Sequence, residues 1–452
     1  MWRLEDVVKA TGGTVPQKGK EVFTGISTDS RTIREGELFI PIVGPNFDGH
    51  SFIGEALKRS GGGTLSDIGH SGSIAGSPGT VIIVKDTGAA LLDLARFKRD
   101  GLSGRFIAIT GSNGKTTTKE ALAGMMKKRY TVHFNEKNLN NLIGVPMSIL
   151  SITGNPEICI FELGTNMPGE IKKLALATDP DMSLITNINP SHLAGLGTIE
   201  GILEEKLDIF FNTREGGEVF VNADDPLILP RYRDFRHRAV TFGIDNDAAW
   251  HLHVDENLGW EGSRISITSA GTAIRTKTAL LGKHNLYNLL AAASMASSMG
   301  VEEALIASAI EEFTSYDKRF QPIKAKKGYV IIDDTYNANP SSMYWAIQTL
   351  LNLPAQGKRV AILGGMKELG EDSSRYHRQL GSTLKAADIA LIALIGEEAR
   401  ETYEELGPAR AALFDDRKRL VEHVAASLSA GDTVLVKGSR AFKMEEIVEA
   451  LK

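Results

Sequence analysis

The chain has 452 residues and a formal net charge of −5, with 42% apolar and 24% charged residues. This length exceeds one ordinary hydrophobic core and predicts several domains, while the lack of any long uncharged apolar run excludes a membrane span. The slightly acidic charge gives no overall attraction for nucleic acid or anionic lipid. A single cysteine, Cys159, excludes a disulfide framework, and the start lacks a signal-peptide pattern, so we expect a cytoplasmic protein.

Residues 1–100 contain short strand patterns. Those at 37–43 and 80–84 lie on either side of a glycine- and serine-rich run at 60–79. We predict a small α/β domain in which this run forms an exposed loop.

The next segment contains the strongest functional signal. Residues 106–109 have the pattern of a buried strand, and a glycine turn and a helix start follow around Lys115. Glycines let the backbone approach an anion, the first helix amides point at it, and a lysine adds positive charge. The loop is shorter than the common eight-residue form, because Ile109 stands at the place of its first glycine. We therefore predict a site for nucleotide phosphates; the alternative is an ordinary strand-to-helix turn. The predicted site consists of Gly111, Ser112, Asn113, Gly114, Lys115, Thr116 and Thr117.

The stretch from residue 101 to about 315 alternates strand patterns, at 106–109, 158–163, 183–188 and 219–222, with helical ones. This alternation is typical of a mostly parallel sheet wrapped by helices, whose ligands bind at the carboxyl ends of the strands. Glu162 and His192 fall there. Glu162 is either a magnesium ligand or a solvated carboxylate, and His192 is either a ligand or a hydrogen-bonding loop residue.

Lys206 lies in the helical pattern 199–211, on the same face as Ile202 and Ile209. A buried ammonium must be paired, lose its proton or change its chemistry, because burying it unpaired is costly. A neutral lysine amine reacts with CO₂ to give a carbamate, an anion that binds Mg²⁺. The alternative is a lysine whose stem is buried while its charged end reaches water.

Residues 316–452 begin a second, independent α/β unit, with strand patterns at 329–333, 359–363, 389–394 and 433–437. Asp334 follows the first of these strands and suits a ribose hydroxyl. In the middle stretch, the amide-rich segment 135–146 suits phosphate or carboxylate oxygens, with a capped turn as the alternative. Asn285 and Asn288, one helical turn apart, suit a purine base, although a helix cap explains Asn285 equally well.

Together and in this order, these segments resemble the Mur ligases, ATP-dependent enzymes that extend the peptide of the peptidoglycan precursor by forming amide bonds. The resemblance covers the whole chain. It implies an α/β protein of three domains: a small uridine-nucleotide-binding domain at 1–100, a central P-loop ATPase-like parallel-sheet domain at 101–315, and a Rossmann-like C-terminal domain at 316–452 that completes the nucleotide and dipeptide site.

The resemblance also implies residue roles. Residues 111–117 would bind ATP together with Asn285, Asn288, Arg319 and Asp334. Two Mg²⁺ ions would be bound by Thr116, Glu162, His192 and a carbamylated Lys206. The expected catalytic residues are Lys115, Glu162, His192, Lys206 and Arg319. The expected substrate-binding residues are Ser27, Thr28, Asp29, Ser30, Arg31, Asp48, His50, Asn138, Asn141, Tyr336, Asn337, Asn339, Lys437 and Arg440.

Local signatures indicate the reaction. Residues 162–170, 333–340 and 436–440 resemble family members that join D-alanyl-D-alanine to UDP-N-acetylmuramoyl-tripeptide, and the Asp-Asn-Pro-Arg signature of diamino-acid-adding members is absent. One position departs from the pattern, because Gly365 stands where an aspartate is expected. We expect an acyl-phosphate mechanism in a monomer whose last domain closes on the middle one. The alternatives are a folylpolyglutamate synthetase-type ligase, which lacks a uridine-nucleotide domain, and a non-catalytic nucleotide-binding module.

Overall fold

In the computed structural model, residues 1–70 and 79–452 are described, and three main sheets follow one another along the chain. The first is five-stranded, in the order β2-β9-β8-β5-β4, and only β2 is antiparallel to its neighbour. The elements of this part are β1 (Trp2–Arg3), α1 (Leu4–Thr11), β2 (Thr14–Gln17), β3 (Val22–Phe23), β4 (Ile26–Ser27), β5 (Leu38–Phe39), β6 (Val43–Gly44), β7 (Phe47–Asp48), α2 (Ile53–Ser60), β8 (Gly63–Asp67), β9 (Thr80–Val84) and α3 (Thr87–Asp100).

The prediction of an exposed loop at 60–79 is wrong for the first half of that segment. Strand β8 is buried and lies between β9 and β5. Its glycines allow close packing, because a Cβ on Gly62 would lie 2.2 Å from the Glu37 backbone oxygen and one on Gly63 would lie 2.8 Å from the Phe23 ring. The glycines at the start of β8 are therefore explained by close packing against neighbouring residues and not by an exposed loop. Residues 71–78 of that prediction lie outside the described residues.

The second sheet has nine strands, in the order β11-β12-β10-β13-β14-β15-β16-β17-β18. Strands β11 to β16 are parallel, and β16, β17 and β18 form an antiparallel edge that the sequence patterns missed. The elements are β10 (Arg105–Thr110), α4 (Lys115–Lys127), β11 (Val132–Phe134), α5 (Gly144–Leu150), β12 (Ile158–Glu162), α6 (Glu170–Thr178), β13 (Met182–Ile185), α7 (Leu193–Leu196), α8 (Ile199–Phe211), β14 (Glu218–Asn222), β15 (Arg238–Gly243), β16 (Trp250–Asn257), β17 (Ser263–Ser269), β18 (Thr272–Thr278), α9 (Lys283–Ser298) and α10 (Glu303–Glu312).

The third sheet has six strands, in the order β19-β20-β24-β21-β22-β23, and all but β19 are parallel. Its elements are β19 (Gln321–Lys324), β20 (Val330–Asp334), α11 (Pro340–Asn352), β21 (Arg359–Gly364), α12 (Ser373–Lys385), β22 (Leu391–Ile395), α13 (Arg400–Leu406), β23 (Ala411–Phe414), α14 (Arg417–Ser427), β24 (Thr433–Lys437) and α15 (Glu445–Leu451).

Register determines which strand ends meet. Ile109 of β10 lies opposite Glu162 of β12 and Leu184 of β13. In the third sheet, β24 is inserted between β20 and β21, so that Lys437 lies opposite Asp334 and Leu363. Each sheet therefore presents the carboxyl ends of its central strands at one edge.

The boundary predicted at residue 100 stays a prediction. Helix α3, which ends at Asp100, packs against α5 and α6 of the second sheet as well as against α1. Among the described residues, every helix is too short or too polar to span a bilayer.

Candidate active site between the second and third sheets

A cleft of about 580 Å³ lies between the second and third sheets, lined by residues of both. It brings together most of the side chains that we predicted from the sequence. Gly111, Lys206, Asn138 and Arg440 do not line it. The predicted residues that do line it are Ser112, Asn113, Gly114, Lys115, Thr116, Thr117, Asn141, Glu162, His192, Asn285, Asn288, Arg319, Asp334, Tyr336, Asn337, Asn339 and Lys437.

The predicted phosphate loop joins β10 to α4. Gly111 and Gly114 have φ of +143° and +82°, and a Cβ on either would lie within 2.2 Å of the side chain of Thr186 or Asn288. The Nζ of Lys115 donates to the Gly111 oxygen at 2.7 Å, which closes the loop. Burial lowers the pKa of Lys115. Only glycine fits these two places, so the loop shape is built into the fold.

Glu162 ends β12 next to this loop and is buried. Its Oε2 accepts a hydrogen bond from the Thr116 hydroxyl at 2.8 Å, and its Oε1 accepts one from Asn140 at 2.8 Å. Arg319 of the third part donates from Nη2 to the same Thr116 hydroxyl at 2.9 Å. Asn140 was missed by the sequence analysis, which selected Asn138 and Asn141 from the same amide-rich segment.

A second layer of contacts holds the backbone of Glu162. The Asn135 side chain accepts the Glu162 N–H at 2.9 Å and donates to the Glu162 oxygen at 3.0 Å. Lys119, which is fully buried, donates from Nζ to the Asn135 oxygen. The alternative of a solvated strand-end carboxylate for Glu162 is therefore wrong. Asn135 opens the amide-rich segment that the sequence analysis noted, but its role in holding Glu162 was not predicted. Nothing in the local sequence pattern identified Lys119, since its partner lies outside its own helix.

Lys206 is 1% exposed, so its charged end does not reach water and that alternative is wrong. Burial, followed by the nearby Lys115 ammonium, lowers the pKa of Lys206 to about 7. The neighbouring Glu205 faces away, because its carboxylate accepts the N–H groups of Gly169 and Ile171 at 2.5 and 2.8 Å, at the start of α6. Lys206 therefore holds an amine that is readily uncharged beside the phosphate loop.

His192 follows β13 in a left-handed conformation, with φ of 54°. Its Nδ1 lies 2.6 Å from Oε2 of Glu368, which the sequence analysis did not select. The adjacent His192 imidazole lowers the pKa of Glu368. The strand predicted at 183–188 ends at Ile185, which leaves Asn187 and Asn189 in a loop where Asn187 accepts the Asn113 N–H at 3.0 Å.

The amide pair Asn285 and Asn288 lies beside the phosphate loop, since the Thr118 hydroxyl of α4 donates to Asn288 Oδ1 at 3.3 Å. Asn285 donates to the Leu281 oxygen at 2.9 Å and accepts a hydrogen bond from Asn288 at 3.3 Å. The helix-cap alternative for Asn285 is wrong, because α9 begins at Lys283 with Gly282 as its cap residue. A pair of side-chain amides thus faces the cleft.

Asp334 lies across the cleft from these amides. Its Oδ2 accepts a hydrogen bond from Lys437 at 2.6 Å and its Oδ1 accepts the Phe320 N–H at 3.2 Å. His284 lies beside this pair, and burial lowers its pKa to about 4, so the imidazole is neutral near pH 7. One further contact joins the two sides, because Asn339 donates to Asn113 Oδ1 at 2.8 Å. Within the third part, the Arg319 guanidinium lies 4.0 Å above the Tyr336 ring.

Residues 109–296 match the Mur ligase middle domain, and residues 318–440 match the domain described as "Mur ligase, glutamate ligase domain". The UDP-N-acetylmuramoyl-tripeptide–D-alanyl-D-alanine ligase of Bacillus subtilis is 34% identical, over 99% of this chain and 98% of the relative. The chain belongs to the Mur ligase family. The ligase of the same name from Escherichia coli is 33% identical, over 94% of this chain and 93% of the relative.

Solved structures agree with this assignment. Crystal structure I of MurF from Acinetobacter baumannii superposes with a TM-score of 0.92 at 27% identity, covering 100% of this chain and 98% of that one. MurF of Thermotoga maritima in complex with ADP superposes with a TM-score of 0.84 at 29% identity, covering 94% of this chain and 96% of that one. A Mycobacterium tuberculosis folylpolyglutamate synthase gives 0.65 at 14% identity and covers 81% of this chain and 95% of that one, a likeness of fold alone.

The predicted uridine-nucleotide residues of this Mur ligase lie outside the cleft, on the first sheet. Arg31 is exposed and pairs with Asp29 through two contacts of 2.9 and 2.8 Å, which lower the pKa of Asp29 to about 2. His50 is buried, with Nδ1 2.7 Å from Asp48, and its ring stacks on that of His70 at 4.0 Å. His50 thus organises its own loop. Ser27, Thr28 and Ser30 lie on the same segment as Asp29 and Arg31. Their role in binding the uridine nucleotide stays a prediction.

Gly365 follows β21 at the carboxyl edge of the third sheet. A Cβ there would lie 3.0 Å from Cβ of Glu398 and 3.1 Å from the Phe442 ring, so the place of an aspartate side chain is already filled. The Glu398 carboxylate pairs with Lys367, which lines the cleft. In this Mur ligase the carboxylate of Glu398, in the loop after β22, therefore lies beside Gly365, where an aspartate side chain was expected. Arg440 is exposed and pairs with Glu445 at 2.8 Å.

Proposed function

We propose that this Mur ligase joins D-alanyl-D-alanine to UDP-N-acetylmuramoyl-tripeptide, forming UDP-N-acetylmuramoyl-pentapeptide, ADP and phosphate. Full-length relatives that carry this name support the reaction. The structural observation that carries it is the contact of Arg319 with Thr116, which brings a guanidinium from the third part to the phosphate loop of the second. ATP use, cytoplasmic action as a monomer, and domains at 1–100, 101–315 and 316–452 belong to the same proposal.

The main physical obstacle is charge repulsion. The terminal carboxylate of the tripeptide attacks the γ-phosphate of ATP to give an acyl phosphate, and both reactants are anions. Among the described residues, Lys115 Nζ donates to one backbone oxygen, that of Gly111, so the side chain is available to the phosphates. Arg319 has a buried Nε that lacks a hydrogen-bond partner in the described structure, as expected for a donor that awaits an anion. These two groups stabilise the charge that develops during transfer.

The side chains around Glu162 fit Mg²⁺. Glu162 offers a carboxylate and the adjacent Thr116 a hydroxyl, and the carboxylate is already oriented by Thr116 and Asn140. The imidazole of His192 lines the same cleft. Thr116, Glu162, His192 and a carbamate on Lys206 would hold the ions, which when bound neutralise phosphate charge and align the reacting oxygens. The buried, readily uncharged amine of Lys206 supports the carbamate.

The second step is attack on the acyl phosphate by the amine of D-alanyl-D-alanine, which displaces phosphate through a tetrahedral intermediate. We place the dipeptide on the third part, near Asn337, Asn339 and Lys437, and the uridine nucleotide on the first. The neutral amides Asn285 and Asn288 would bind the base, and the buried Asp334 carboxylate would accept the ribose hydroxyl. Substrate entry then requires the third part to move away from the second.

Phosphate release from ATP tests this proposal. Purified protein is supplied with Mg²⁺, UDP-N-acetylmuramoyl-tripeptide and D-alanyl-D-alanine, each component is omitted in turn, and the product is weighed by mass spectrometry. Release that needs every component and yields the pentapeptide is expected. Release only with a folate and glutamate would indicate the folylpolyglutamate synthetase-type reaction, and no release with either set would indicate a binding module.

A further inference from the structure

Glu368 belongs to the third part of the chain, but its carboxylate contacts a residue of the second. Oε2 of Glu368 lies 2.6 Å from Nδ1 of His192, and that nitrogen is shielded from solvent and has no aligned hydrogen-bond partner among the described residues. Both residues line the cleft. Since Nδ1 faces Glu368, Nε2 is the His192 nitrogen left for a ligand.

The backbone on both sides supports this contact. His192 and Glu368 both have left-handed conformations, with φ of 54° and 64°, which residues other than glycine seldom adopt. The Ala194 N–H donates to the Glu368 oxygen at 3.0 Å, so the two loops are also joined through their main chains. Two unusual conformations that face each other across a domain boundary indicate a built contact.

The loop that carries Glu368 is also held from behind. The N–H of Met366 donates to Nε2 of His377 at 3.0 Å, and the N–H of Lys367 donates to the Ser439 hydroxyl at 2.8 Å. Both partners belong to the third part. Glu368 therefore moves with that part as one body, and it leaves His192 whenever the cleft opens.

We propose that Glu368 is a positioning residue for His192, acting only when the third part is docked on the second. A carboxylate 2.6 Å from Nδ1 favours the tautomer that carries its proton on Nδ1, whose Nε2 lone pair is then free for a ligand, as carboxylates do beside metal-binding histidines. The inference rests on the proposed role of His192 as a ligand of Mg²⁺. Its consequence is that metal affinity and domain docking are coupled.

The test is metal affinity measured without turnover. Mn²⁺, a spectroscopic substitute for Mg²⁺, is titrated by electron paramagnetic resonance into full-length protein with UDP-N-acetylmuramoyl-tripeptide and a non-hydrolysable ATP analogue. We expect Glu368→Ala to weaken Mn²⁺ binding by about 10-fold to 100-fold. Glu368→Gln, which keeps an oxygen acceptor, should recover part of that loss. Because 55% of the Glu368 side chain is exposed, these variants are expected to fold.

Two controls make the test specific. Glu371→Ala removes an exposed carboxylate from the same loop and should leave Mn²⁺ affinity unchanged. In a His192→Ala background, Glu368→Ala should produce no further loss, because its effect passes through the imidazole. Unchanged affinity in Glu368→Ala, an equal loss in the His192→Ala background, or wild-type affinity in His192→Ala would each overturn the inference. Failure to form pentapeptide by the wild type, with these binding results intact, would contradict only the proposed reaction.

Discussion

The two walls of the cleft are built differently. On the second sheet, the buried Glu162 is held by Thr116, Asn140 and Asn135, all within that part of the chain. The polar contacts we identify from the third part, by contrast, are isolated ones: the Arg319 and Asn339 side chains and the Glu368 backbone oxygen each contact the second part at one place. A wall held internally keeps its shape when alone, whereas a wall joined by a few polar contacts separates readily. Nucleotide binding and catalysis should therefore respond differently to mutations on the two walls.

The largest effect is expected on the internally held wall. Lys115→Ala removes the cation of the phosphate loop, and we expect kcat for phosphate release to fall about 10³-fold, since one preorganised charged donor contributes on that order. ATP-analogue affinity should fall as well. The control is Lys173→Ala, on the exposed face of α6, which should retain activity. A Lys115→Ala enzyme with near-normal turnover would contradict the phosphate-loop assignment.

Arg319→Lys should distinguish most clearly between the roles of the two walls in catalysis and in nucleotide binding. Lysine keeps the charge but loses the planar donor set that reaches Thr116, so we expect kcat to fall about 10²-fold while the affinity for an ATP analogue changes little. Turnover and calorimetric binding are measured on the same preparation. An equal loss in both quantities would show that the Arg319 guanidinium contributes to nucleotide binding before any phosphate is transferred.

Lys206 gives a pH-dependent prediction. Its lowered pKa of about 7 means that the charged form predominates below about pH 7, where burial of the charge opposes folding and no carbamate forms. As the pH rises above 7, the amine becomes neutral, the penalty to stability shrinks and the carbamate forms. We expect ¹³C NMR with labelled bicarbonate to show a carbamate signal that grows across this range. Lys206→Ala should lose that signal and regain activity with a short-chain carboxylate; full activity without such rescue would contradict the assignment.

Asn339→Ala should have the smallest effect. It removes the hydrogen bond to Asn113 between the walls, which contributes about 1 kcal/mol, so we expect kcat to fall by roughly fivefold. It also removes the cap of α11, whose Ser342 N–H donates to Asn339, so thermal stability is expected to fall by about 1 kcal/mol. Small-angle scattering should show that wild-type protein compacts on addition of the ATP analogue and uridine-nucleotide substrate. The variant should need more ligand to do so. Absence of compaction in the wild type would rule out gating by closure.

The predictions that held were those carried by neighbouring residues. Gly111, Gly114 and Lys115 form one turn between a strand and a helix, so the strand, turn and helix start could be predicted from a few consecutive residues. The face shared by Ile202, Lys206 and Ile209 was likewise a local period, and all three are buried. The glycine-rich start of β8 misled the analysis, because close approach to Phe23 and Glu37, distant in sequence, explains those glycines.

The sequence by itself determined the family, the alternation of strands and helices, and the identity of the residues at the phosphate loop, because each rests on local spacing and residue chemistry. Only the tertiary structure decided which other side chains hold the residues of the site in place. Asn140, Asn135 and Lys119 hold Glu162, and Glu368 reaches His192 from 176 positions further along the chain. Such partners are selected by the order and register of parallel strands and by the docking of two sheets, and these long-range contacts leave no periodic trace in the chain.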